Sequence, residues 1–172
     1  RSSVAHRTLM RLMRNADVFV TDLSPQHSRD LALDYPRLKE LNPALVVTHV
    51  TPFGMTGPYR DYKGSDLIAF HMGGLGYETP ERAVYDLERD PPLRGGGYQA
   101  DYLAGWTAAA ATITAILYRE RYGVGQMADI SAMEAVANHI RANFAAYSYD
   151  PSGLPTSRLK SNWRWSWPCK DG

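Results

Sequence analysis

Apolar positions change their spacing several times along the chain, and each change marks an element. Residues 5–15 set Leu9, Met10, Leu12 and Met13 on one side of a helical projection and Arg7, Arg11 and Arg14 on the other. That is the pattern of a surface helix with a solvated basic face. Asp17-Val18-Phe19-Val20-Thr21 is a short β-branched and aromatic run that predicts a strand, ended by a loop at Asp22-Leu23-Ser24-Pro25. Two short helices are expected at 27–33 and 36–41, before the break at Asn42-Pro43. Leu45 to Thr51 then runs almost continuously apolar, as a strand does when a parallel sheet buries both its faces.

Pro52 to Gly64 is rich in Gly, Pro and Tyr and reads as a loop, after which Ser65-Asp66 is placed to cap a helix carrying Leu67, Ile68 and Phe70. Residues 78–97 are polar, with Pro and Gly, and close on Gly95-Gly96-Gly97. A long helix is predicted from Tyr98 to Tyr122, with Gly123 as its left-handed C-cap and Gly125 in the turn beyond. A strand at Met127 to Ile130 and a helix over 132–147 complete the pattern. Trp163, Trp165 and Trp167 recur at period two in a final strand or extended linker. Strand, helices and strand in this order predict an α/β fold: a parallel sheet flanked by helices, joined by right-handed crossovers. Residues 1–150 form that domain, and 151–172 lead away from it. The chain begins without Met and ends on Asp171-Gly172, half of a hairpin signal. A fragment of a longer enzyme, truncated at both ends, is therefore expected.

Composition narrows the function classes. With 44% hydrophobic residues in 172, the chain can bury one real core. A net charge of +1 with intermixed signs argues against a nucleic-acid partner, which would demand a basic excess. The lone Cys169 excludes an internal disulfide and argues against structural zinc, as suits a reducing cytoplasmic location. The apolar stretch 104–117 contains Thr107, Thr112 and Thr114 and is too short to span a bilayer. No signal-peptide pattern opens the chain.

Chemistry could centre on Asp101, in the first turn of the long helix. Its plain role there is to neutralise exposed N–H groups at the positive helix end. Its sharper role draws on the same end: the helix terminus would keep the carboxylate ionised, its N–H groups would stabilise an oxyanion, and the triglycine would let another molecule come close. An ionised, shielded carboxylate is a competent nucleophile toward an acyl group. His71 and His139 sit in apolar helical contexts and read as packing residues. Gly73-Gly74 and Gly95-Gly96-Gly97 lack the spacing of a dinucleotide fingerprint.

Ordered blocks along the chain resemble the family III coenzyme A transferases, the group that includes formyl-CoA and carnitine CoA-transferases and α-methylacyl-CoA racemase. They are Ala16-Asp17-Val18-Phe19-Val20 through Ser24-Pro25, Leu33-Asp34-Tyr35, Leu41-Asn42-Pro43, Phe53-Gly54-Met55-Thr56-Gly57-Pro58-Tyr59 and Gly64-Ser65-Asp66-Leu67-Ile68-Ala69. Ala100-Asp101-Tyr102-Leu103-Ala104-Gly105, Tyr118 to Gln126 and Pro168-Cys169-Lys170-Asp171-Gly172 continue the series. The resemblance implies a Rossmann-like large domain, with 1–150 a partial CoA-binding unit and 151–172 a linker toward a missing second domain. It implies Asp101 as the nucleophile that forms an aspartyl anhydride and then an aspartyl-CoA thioester. It also implies coenzyme A contacts at Asp22, Leu23, Ser24, Lys63, Gly64, Ser65 and Asp66. The implied substrates are an acyl-CoA and a carboxylic acid, with no metal, in an interlocked homodimer with no membrane partner.

The family often has Asn-Phe-Arg where this chain has Asp22-Leu23-Ser24, and a family Arg falls at Asp30, beside Arg29. A CoA-ester racemase is the nearest alternative, but racemases of this group carry His where Ser65 stands, and serine is no general base of that kind. A non-catalytic CoA-binding or dimer-forming fragment is the alternative from another class.

Overall fold

The computed structural model describes residues 3–79, 86 and 88–149. In chain order the elements are α1 (Ser3–Met13), β1 (Val18–Thr21), α2 (Pro25–Asp30), α3 (Tyr35–Leu41) and β2 (Val46–Thr51). They continue with α4 (Asp66–Met72), α5 (Leu75–Glu78), α6 (Gln99–Tyr122), β3 (Met127–Ser131), α7 (Ala132–His139) and α8 (Arg141–Tyr149). The strands form one parallel sheet in the order β1-β2-β3, with Val18 paired to Val46 and Val47 to Met127.

The apolar run of β2 places it at the centre, where only Val50 is less than fully buried. Alternate residues of a strand face opposite sides, and here each side meets its own helices. Val47 packs with Met13, Leu33, Leu38 and Leu45, beneath α1 and α3. Val50 packs against Phe70, Ala104 and Val136, from α4, α6 and α7. Thr48 is buried too, and its hydroxyl meets that of Thr112 on α6 at 2.7 Å. The expected α/β architecture, a parallel sheet flanked by helices, is thus the one observed.

Local differences have local causes. Ser24 and Pro25 belong to α2 rather than to a loop: Ser24 Oγ accepts the His27 N–H at 3.3 Å, and Pro25 starts the helix. The helix ends at Asp30 instead of 33, because Ala32 takes a left-handed φ of 55°. The helix expected over 132–147 divides at Ile140, whose side chain lies over Gly74. Leu12 is exposed, so the apolar side of α1 is narrower than its sequence implies. Gly123 does close α6 at φ +71°, its N–H donating to Arg119 O. Any Cβ at Gly125 would collide with the Leu45 carbonyl, which is why the turn into β3 needs glycine there. Residues 151–172, with their tryptophans and Cys169, lie outside the described residues.

Candidate active site

Ligands of parallel α/β sheets gather at the carboxyl ends of the strands, and a cleft of about 740 Å³ opens there. The end of β2 contributes Val50 and Thr51, and the loop after β1 contributes Asp22. Gly64, Ser65 and Asp66 bring in the start of α4, while Asp101 and Gly105 come from α6. Gly64 makes this convergence possible, since a Cβ there would overlap the Pro52 ring.

Asp66 organises the site. It is 8% exposed, and its Oδ1 accepts the N–H groups of Ala100 at 2.9 Å and Asp101 at 3.2 Å. Tyr98 occupies the N-cap position of α6 and makes no side-chain cap. Asp66 therefore satisfies two of the donors that a helix start leaves unpaired, from far away in sequence. Arg94 completes the clamp: one guanidinium nitrogen lies 3.4 Å from Asp66 Oδ2 and 3.1 Å from Gly97 O. Its guanidinium also lies over the Tyr98 ring, 5.9 Å from the centroid. Ser65 stands at the N-cap of α4, but its hydroxyl makes no cap bond, contrary to the sequence expectation.

This arrangement corrects the electrostatic reading of Asp101. The Ala100 and Asp101 N–H groups are occupied by Asp66 and are not free to steady an oxyanion. Although the residue is exposed, its carboxylate is partly shielded by its surroundings. That shielding first, and the charge of Asp66 second, raise its pKa above the ordinary 3.8. The helix end does not win, because poor solvation of the carboxylate outweighs it and another carboxylate already sits on that end. Among the described residues no donor hydrogen-bonds the Asp101 carboxylate.

The other sequence candidates divide. Asp22, Gly64, Ser65 and Asp66 line the same cleft as Asp101, whereas Leu23, Ser24 and Lys63 do not. Leu23 packs against the core cluster beneath α1 and α3, Ser24 caps α2, and Lys63 is exposed beside the cleft. His71 behaves as a packing residue, its ring edge-on to Phe70 with centroids 5.5 Å apart. His139 does not: it is exposed in the last turn of α7. Among the described residues no cluster of three His, Cys, Asp or Glu is placed to hold a metal, and no helix is long and apolar enough to cross a membrane.

Two residues escape a reading of the sequence. Arg94 carries only the weak signal of a cation just before the triglycine. His49, within the apolar run of β2, is fully buried, and neither ring nitrogen has a hydrogen-bond partner among the described residues. It pairs in register with Asp129, whose carboxylate accepts the Met55 N–H at 3.0 Å. Burial lowers the His49 pKa from 6.5, and Asp129 opposes this only in part. Below that ordinary value the unfolded chain takes up a proton that the folded chain refuses, so stability falls with pH until the lowered pKa is reached. Thermal unfolding should show the midpoint dropping as pH falls below about 6.5, with a shallower drop in His49→Asn.

Comparison with known proteins shows the family to which this fold belongs. The family model described as CoA-transferase family III matches residues 1–172, and the chain belongs to that family. It is 36% identical over 126 residues to succinyl-CoA–D-citramalate CoA-transferase of Chloroflexus aurantiacus, covering 73% of this chain and 30% of the relative. It is 34% identical over 149 residues to succinate–glutarate CoA-transferase of Agrobacterium fabrum, covering 87% and 35%. The crystal structure of a CaiB/BaiF family protein from Brucella suis superposes with a TM-score of 0.80 at 26% identity, covering 92% of this chain and 40% of that one. The chain thus spans about a third of the length of the curated relatives it matches.

Proposed function

We propose that this chain carries the acylating carboxylate of a CoA-transferase that moves CoA from an acyl-CoA to a carboxylic acid. The observation that supports this is Asp101: a carboxylate with no hydrogen-bond donor among the described residues, on the wall of a cleft at the carboxyl ends of a parallel sheet. Asp101 attacks the thioester carbonyl, the C–S bond breaks, and the CoA thiolate leaves a mixed anhydride. The thiolate attacks the aspartyl carbonyl of that anhydride, releasing the donor acid and leaving an aspartyl-CoA thioester. The acceptor carboxylate displaces the thiolate to give a second anhydride. Attack of the thiolate on the acceptor carbonyl then yields the new acyl-CoA and frees Asp101. Each activated acyl bond is replaced by another, so one difficult exchange is split into several easier ones.

Residues 1–150 act in this reading as a partial CoA-binding domain, with 151–172 leading to a second domain. Asp22, Gly64 and Ser65 border the CoA ester, with Lys63 beside the cleft and Leu23 and Ser24 shaping the loop behind Asp22. Asp66 serves the helix that carries Asp101. The exposed apolar side of α6, with Tyr102, Trp106, Ile113 and Leu117, is assigned to a homodimer interface. Ser65 supplies no proton-transferring group where a racemase would need one. The relatives named for succinyl-CoA–D-citramalate and succinate–glutarate exchange make succinyl-CoA the donor to try first.

The test is to incubate the full-length protein with succinyl-CoA and trap with hydroxylamine. Modification should fall on the peptide containing Asp101. Deuterium exchange at the α-carbon of the ester, without an acceptor acid and without that modification, would instead indicate a racemase.

A further inference from the structure

Most of the described glycines have a reason within the chain. Gly64 and Gly125 are crowded by Pro52 and by the Leu45 carbonyl, and Gly54, Gly74, Gly97 and Gly123 take positive φ. Gly105 has neither reason. It lies inside α6, has no left-handed backbone, and a Cβ there would meet no atom of the described residues within 4 Å beyond its own stretch of helix. Glycine weakens a helix interior relative to alanine, so the described residues offer a cost here with no steric return.

What Gly105 does border is the cleft, together with Asp101 one helical turn before it. Residues four apart share a helix face. Side chains lean toward the helix N-terminus, so a side chain at 105 would cover the turn that carries Asp101. The missing side chain leaves open the space over the nucleophile. Ala104, buried in the core, and Asp66, fixed on the helix end, bound that space from the inner side and cannot yield it.

We propose that Gly105 is a specificity-determining residue, whose missing side chain makes room for acyl groups branched or substituted next to the carbonyl carried on Asp101. The proposal rests on Asp101 as nucleophile and adds the class of acyl group that site accepts. A linear acyl chain needs little width beside the helix. A branch at the carbon next to the carbonyl projects toward the neighbouring turn, where residue 105 stands.

The experiment measures binding and turnover separately in the full-length protein. Binding is measured in an Asp101→Asn background, with and without Gly105→Val, for free CoA and for acetyl-, propionyl-, isobutyryl- and 2-methylsuccinyl-CoA. The double variant should bind CoA and acetyl-CoA within about three-fold of the single one. It should lose about 10- to 200-fold for the branched esters, the scale of a misfitted methyl group. In the enzyme with Asp101 intact, Gly105→Ala should raise Tm by about 2 °C and lower kcat/KM for branched donors more than for linear ones. Equal weakening of free CoA and every ester, or no change in any, would overturn the proposal. So would a lower Tm or a changed oligomeric state in Gly105→Ala, which would show that the glycine serves packing. If Asp101→Asn keeps its turnover the nucleophile reading fails, and the binding series still judges the room at Gly105.

Discussion

Replacing Asp101 by asparagine should lower the rate of CoA transfer by about 10⁴-fold or more, the scale seen when a covalent nucleophile is removed. Asparagine keeps the size of the side chain and leaves the backbone N–H that donates to Asp66 in place. The first turn of α6 should therefore remain, and acyl-CoA affinity should stay within a few-fold. Stability should not fall, since the substitution removes one of two neighbouring negative charges. The intact enzyme has a matching pH signature. Attack requires the carboxylate form, so kcat/KM should decline as pH falls through a value above the ordinary 3.8 for aspartate. Steady-state kinetics of the full-length protein with succinyl-CoA checks both statements. Wild-type turnover by Asp101→Asn would end the mechanism.

Asp66→Ala should be the most damaging change that leaves the nucleophile itself untouched. It strips the acceptor from the Ala100 and Asp101 N–H groups and leaves Arg94 without its carboxylate. Lost helix capping together with unpaired, largely buried donors costs about 1–3 kcal/mol. Urea denaturation should report a loss of that size, and transfer should slow as the turn holding Asp101 frays. Asp66→Asn separates geometry from charge. Its carbonyl oxygen can still accept both N–H groups, so most of the stability should return. Its neutral side chain no longer repels Asp101, so the acid limb of the rate profile should move to lower pH. If alanine and asparagine behave alike in both measurements, Asp66 is not positioning Asp101.

The sheet and its flanking helices are legible in the sequence because their signals are local. β2 is a run of apolar and β-branched residues, and α6 is a long helical stretch closed by a glycine that does take a left-handed φ. The Ser24-Pro25 start of α2 is also written in the sequence, as an N-cap followed by a first-turn proline, and reading that segment as loop misses it. The clamp on Asp101 is not legible. Asp66 looks like a first-turn acid of its own helix, and only the packing of α4 against α6 aims it at another. The direction of the Asp101 pKa departs from expectation because the folded surroundings solvate the carboxylate poorly and, second, because another anion already occupies the helix end. Gly105 and His49 fall within ordinary apolar patterns, and only the folded structure shows, among the described residues, empty space beside one and unpaired nitrogens on the other.

On the proposed mechanism, the nearness of Asp66 to Asp101 also bears on the energy of the acylated enzyme. A raised carboxyl pKa means that the neutral form gains relative to the anion, and protonation is only one way to become neutral. An acyl group or a CoA thioester on Asp101 likewise removes the negative charge. Each such adduct escapes the repulsion from Asp66 and the poor solvation that the free carboxylate must bear. On that mechanism, the poor solvation of Asp101 first and the fixed acid on the helix end second thus act as a preloaded spring on the covalent state. Both would favour an occupied Asp101 over a bare one where the bound acyl group brings no charge of its own.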